Sequence, residues 1–215
     1  QGFDLRFVIR ASQTEVYNKT GDKITTVSSH KTDQWQRVID KEQLLQALST
    51  QFDMRLKPIQ IKLQEGAELH RYGQKLHFSI APANTQKTVT RQWGEYRGLG
   101  WELDSSDQSS NTTTPLKAMT LFNLAGNGDL QFLYPLPHRN HSPTIQRFPL
   151  QLPSLTVLPP FGGDHLVAVL CTQPPVRLQR LLIESAPFLP TPAQVIKTLH
   201  DQRCQVGQYA FFSGE

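Results

Sequence analysis

The sequence predicts an α+β fold that is mainly β, with an antiparallel, sandwich-like core and about three peripheral helices. Three observations carry this expectation. Short runs alternating apolar and polar residues recur along the chain and outnumber helical patterns. Residues 118–135 (AMTLFNLAGNGDLQFLYP) read as two strands joined by a tight turn, where Gly126, Asn127 and Gly128 tolerate positive φ. Helical periodicity is confined to the segments after Asp40, after Pro175 and after Thr191.

In chain order, residues 4–11 (DLRFVIRA) form a strand with Leu5, Phe7 and Ile9 on one face. The turn 18–22 (NKTGD) leads into 23–28 (KITTVS), whose β-branched residues favour a strand. Residues 29–38 are polar, with Trp35 as an anchor. Asp40 caps a helix, Gln43 completes a box-like start, and Leu44, Leu45, Leu48 and Phe52 mark its packed face. Ile59, Ile61 and Leu63 alternate with Gln60, Lys62 and Gln64 in a half-buried strand that Gly66 ends. Leu76, Phe78 and Ile80 then point inward, and Lys75, His77 and Ser79 outward. Residues 88–103 are ambiguous, and Trp93, Tyr96 and Trp101 read there as core or lid aromatics. Residues 104–115 (DSSDQSSNTTTP) carry too little apolar surface to offset their ordering entropy, so an exposed loop is expected.

The hairpin 118–135 is expected at the centre of the fold. On its return strand Leu130, Phe132 and Tyr134 point one way, and Gln131 and Leu133 the other. Pro135 and Pro137 end the ladder, and the proline-rich stretch 135–154 runs over the surface. A short strand at 155–158, a turn at 159–164 (PPFGGD) and a strand at 165–171 (HLVAVLC), buried on both sides, follow. Pro174 and Pro175 open a helix with Leu178, Leu181 and Leu182 on one face. Thr191, Pro192 and Gln194 open another in a capping box. Residues 208–212 form the last strand. Residues 1–65 pack on a β-rich unit, 66–215, or the whole of 1–215 forms a single domain.

From 72–76 (YGQKL) to Cys171 the order of features is similar to a bacterial domain-of-unknown-function family, number 4384. The strand 72–80 (YGQKLHFSI), the hairpin 120–135 (TLFNLAGNGDLQFLYP), the proline-bearing loop with its short strand, and 159–171 (PPFGGDHLVAVLC) carry the likeness. Cys171 stands where that family more often has Ser. The likeness covers roughly half the chain and leaves the N-terminal segment outside. It implies an accessory module of a multidomain bacterial protein, found with caspase-like peptidases or kinases. It brings no catalytic residues.

Composition narrows the function classes. The net charge of +4 is dispersed, with no cation block of the kind that grips nucleic acid. No apolar run approaches the roughly 20 residues of a membrane helix, so no membrane insertion is expected. The chain opens without Met, which suggests a fragment of something larger. Cys171 and Cys204 fit no metal spacing, and two reduced core thiols are a simpler reading than one disulfide. Compartment stays open between bacterial cytoplasm and periplasm.

No catalytic residue is assigned. His165 and Cys171 lie ~20 Å apart on a straight strand at ~3.3 Å per residue. His200 and Cys204 are better placed, at i and i+4 of a helix, but lack an orienting third group. No metal or cofactor is assigned: His138, Asn140 and His141 read as solvated loop residues, and 161–164 (FGGD) lacks the Lys and Ser/Thr of a phosphate loop. A binding groove is placed beside the hairpin end, with Tyr134, Pro135, His138, Phe161, Gly162, Gly163 and Asp164 as candidates. The expected function is a non-catalytic module that recognises a protein or peptide partner or controls an attached effector domain. The alternatives are a secreted or periplasmic ligand-binding protein and a cysteine-dependent hydrolase.

Overall fold

A strand that is apolar on both faces has to be covered on both, and the fold follows from that. The computed structural model describes residues 5–50, 58–67, 69–82, 116–136, 145, 148–200 and 202–215. Strand β12 (Gly162–Cys171) is paired along its length with β13 (Cys204–Gly214) and, over its second part, with β8 (Ala118–Leu124). Strands β9 (Leu130–Tyr134) and β5 (Leu69–Arg71) complete a five-stranded sheet in the order β5-β13-β12-β8-β9. All neighbours are antiparallel except β5, which runs parallel to β13.

Val167, Val169 and Cys171 of β12 face one apolar cluster, which includes Leu44 and Leu48 of α1 (Thr32–Ser49). Leu178 and Leu182 of α2 (Val176–Ser185) and Val195 and Leu199 of α3 (Pro192–Leu199) complete that side. Leu166, Ala168 and Leu170 face a second cluster, covered by short sheets. One is β10-β7-β4, from β4 (Ile59–Leu63), β7 (Phe78–Pro82) and β10 (Leu150–Gln151). The other pairs β6 (Lys75–Leu76) with β11 (Leu155–Thr156). The fold is thus α+β and mainly β, with helices on one side of the main sheet and strands on the other. Burying one such Leu side chain is worth roughly 1.5–3 kcal/mol, so both clusters contribute heavily.

The N-terminal segment forms a meander of β1 (Arg6–Ile9), β2 (Gln13–Tyr17) and β3 (Lys23–Ser28). Val16 and Val27 bury against Val38 of α1, with Phe7 stacked on Trp35 at 5.5 Å. Ile9 of the expected strand face is instead 64% exposed.

Several expectations need correction. The helix begins at Thr32 and not at Asp40, which lies inside it and accepts a hydrogen bond from Gln36. Its buried residues are Val38, Lys41, Leu44, Leu45 and Leu48, and with Val38 the only one before Asp40 the upstream turns show little apolar period. Phe52 lies outside the described residues, as do 88–103 and 104–115. The hairpin β8–β9 sits at an edge of the sheet, and β12 holds the centre. A bulge between Leu121 and Phe122 in the β8–β9 register turns Tyr134 to the face of the second cluster, away from Leu130 and Phe132. Within the proline-rich stretch, Leu150 and Gln151 do pair, with Ile80 and Ser79.

Cys171 and Cys204 are direct cross-strand partners joined by a disulfide, contrary to the expectation of two free thiols. The expected last strand was too short to show this, because β13 already starts at Cys204. His200 caps the C-terminus of α3, so His200 and Cys204 do not share a helix.

The backbone corner where β12 begins is tight. Gly162 has φ 145°, and a Cβ there would collide with the Ile24 carbonyl oxygen of β3. Gly162→Ala is expected to lower the unfolding free energy by roughly 2–4 kcal/mol. Gly66, with open space around it, serves as the control: Gly66→Ala should change stability by under about 1 kcal/mol. Urea denaturation of both variants checks this, and equal midpoints would contradict the packing described.

Candidate functional site

Strand β12 starts polar where it leaves apolar cover. Asp164 and His165 are adjacent, so their side chains lie on opposite faces of the sheet. Asp164 shares the face of Leu166, and His165 shares the face of Val167.

On the Asp164 side, four polar residues from four strands converge. Asp164 is only 5% exposed. Ser213 of β13 donates its hydroxyl to Oδ2 at 2.6 Å, and Asn123 of β8 donates Nδ2 to Oδ1 at 3.3 Å. The Gly126 backbone N–H adds a further bond. The same Asn123 Nδ2 also donates to Gln131 Oε1 of β9 at 3.1 Å. Nδ2 thus faces two acceptors, which fixes the amide orientation. Asn123 Oδ1 is buried and has no partner. Burial raises the Asp164 carboxyl above its ordinary value, opposed by the Ser213 bond, by Lys41 and by the Asn123 and Gly126 bonds.

These residues form the polar floor of a cleft of about 410 Å³. Its apolar wall comes from Leu133 and Phe211 of the main sheet and from Leu155, Val157 and Leu158 around β11. Among the described residues β9 pairs in a sheet only with β8 and β11 only with β6, and the Leu130 N–H at the start of β9 donates to the Pro187 carbonyl oxygen. Ligand sites commonly combine such a mostly apolar lining with a few convergent polar groups.

On the opposite face Lys41 is fully buried under α1, and its Nζ donates to the Gly163 carbonyl oxygen. Desolvation lowers its pKa to about 8, against the favourable fields of Glu42 and Asp164. His165 is lowered to about 3, first by burial and then by Lys41, while a bond to the Gly163 backbone opposes the shift. His165 therefore stays neutral in the fold. The helix closes Lys41 off from water, and this face reads as architecture.

Of the residues singled out from sequence, Asp164 lines the cleft. Gly162 and Gly163 form the corner that places it. Phe161 packs on the second cluster and meets Tyr72 edge-on at 6.3 Å. Tyr134 is half-buried against that cluster, and burial raises its hydroxyl pKa. Pro135 follows it through a cis peptide bond and is absent from the lining. His138 lies outside the described residues, as do Asn140 and His141. Among the described residues no three His, Cys, Asp or Glu side chains gather as a metal site. Sequence reasoning missed Asn123, Gln131, Ser213 and Lys41. Two signals were there: Asn123 stands in a strand whose other residues are apolar except Thr120, and Lys41 stands on an apolar helical stripe.

The buried Lys41 gives a pH test. Between pH 8 and about 10.5 the unfolded chain keeps a proton that the folded chain has released. Stability therefore rises with pH through that window, by up to ~1.4 kcal/mol per pH unit. Chemical denaturation at stepped pH should show this rise in the native protein and not in Lys41→Met. Parallel profiles for the two proteins would contradict a desolvated Lys41.

No family model, curated protein or solved structure matches this chain, so its reading rests on the geometry of its own cleft.

Proposed function

We propose that the chain is a non-catalytic binding module that takes an extended protein or peptide segment in the cleft between β9 and β11. The observation that carries this is the lining itself. Among the described residues the cleft is bordered by β9 and β11, each with one neighbour in its sheet, and it is apolar along its wall and polar on its floor. An extended segment finds main-chain partners along such strands and seats alternate side chains below. A compact metabolite would use only the floor.

The likeness to the bacterial accessory-domain family 4384 supports the same role, as a recognition or regulatory unit beside an effector domain. Its four segments fall on β6–β7, β8–β9, β10–β11 and β12, and of these β6, β8, β9, β11 and β12 give residues to the cleft lining. The Cys171–Cys204 disulfide favours a second element, placement in an oxidising compartment such as the periplasm. A cysteine-hydrolase role has no support, since neither sulfur is a thiol and a bonded sulfur offers no thiolate.

The test is selection of binders from a random heptapeptide display library, followed by photo-crosslinking. With benzoylphenylalanine at Leu158, 57% exposed on the cleft wall, selected peptides should crosslink. With the same probe at Ile9, on the N-terminal meander, they should not. Equal crosslinking at both positions, or no selectable peptide, would overturn the proposal.

A further inference from the structure

The floor of the cleft has more acceptors than donors. Asp164 presents a carboxylate, and Asn123 Oδ1 is a buried acceptor with no partner. The Ser213 hydroxyl and the Asn123 amide are already donating, both into Asp164. Buried polar groups are nearly always satisfied, so this floor calls for a donor from outside. The group that answers is cationic, because it carries only donors and balances the carboxylate.

Among the described residues the protein's own cations do not fill that place. Among the described residues, no Lys, Arg or His nitrogen lies within salt-bridge reach of Asp164. Lys41 acts on it only through its field, from beneath α1 on the other face of the sheet, where Nζ is held by the Gly163 carbonyl. A carboxylate removed from water without a contacting cation is costly, and a ligand cation offsets that cost.

We infer that the cleft selects a Lys or Arg side chain of the bound segment, its charged end on Asp164 and Asn123 and its methylene stem along Leu133, Leu155 and Leu158. This rests on the peptide reading above and adds its specificity. A long aliphatic stem ending in donors matches an apolar wall above an acceptor floor. The net charge of +4 works against long-range attraction of a basic peptide. The preference is therefore set at contact distance, where salt screens little.

The experiment uses pools of fluorescein-labelled random heptapeptides with the central residue fixed as Lys, Arg, norleucine, Gln or Glu. Binding to the whole chain is read by fluorescence anisotropy, with 1 mM EDTA and with 1 mM calcium chloride. The Lys and Arg pools should bind at least about tenfold tighter than the norleucine and Glu pools, with or without calcium. Asp164→Asn should erase that difference. Gln131→Lys should do the same by putting a competing cation at the exposed rim of the floor in place of the acceptor that Asn123 Nδ2 uses there. If all pools bind equally to the native protein, the Lys/Arg preference fails while the peptide reading stands. If no pool binds, both fail. If calcium abolishes the preference, the floor is a cation site and the inference is overturned.

Discussion

Everything in this fold answers to one constraint: β12 is shut away from water on both faces. Its central residues, from Leu166 to Leu170, are wholly buried between helices on one side and short strands on the other. Such a strand tolerates no unmatched polar side chain along its middle. Its backbone is matched by β8 and β13, and its side chains there are all apolar. The polar residues are confined to its start, at Asp164 and His165, and each meets a different solution. His165 is held neutral, beside a Lys that a carbonyl oxygen satisfies. Asp164 is held by a hydroxyl, an amide and a backbone N–H.

The corner that makes this possible is glycine-built. Gly126 and Gly162 let the β8–β9 turn, the start of β12 and the Ile24 carbonyl approach within bare backbone distance. Gly128 lies as close to the Arg37 backbone of α1, and Arg37 pairs with Asp129 at 3.0 Å. Sheet, helix and N-terminal meander are thereby locked around one point. The cleft opens on the side of that point where apolar cover gives way to the Asp164 floor. Function, on this account, occupies the place where the core stops being apolar.

Much of the architecture was legible because it rests on local rules. Alternation marked β4 and β7, glycine and asparagine marked the β8–β9 turn, and Thr191 with Gln194 marked the start of α3, where both capping bonds form. What was illegible depended on contacts distant in sequence. Lys41 broke the apolar stripe of α1, because a buried Lys satisfied by a distant carbonyl leaves no local trace. The disulfide joins cross-strand neighbours 33 residues apart, which no spacing rule reveals. The candidate site was half legible. Asp164 stood out after two glycines, whereas Asn123, Gln131 and Ser213 become neighbours only when β8, β9, β12 and β13 line up.

The most direct test of this account is a carbon-13 NMR titration of the Asp164 carboxyl, assigned by comparison with Asp164→Asn. A carboxyl buried at the cleft floor should titrate above the ordinary value of about 3.9. It should move further upward in Ser213→Ala, which removes the hydroxyl that favours the charged form. An Asp164 that titrates at or below the ordinary value, indifferent to Ser213, would show a solvated carboxylate and contradict the buried floor on which the cleft depends.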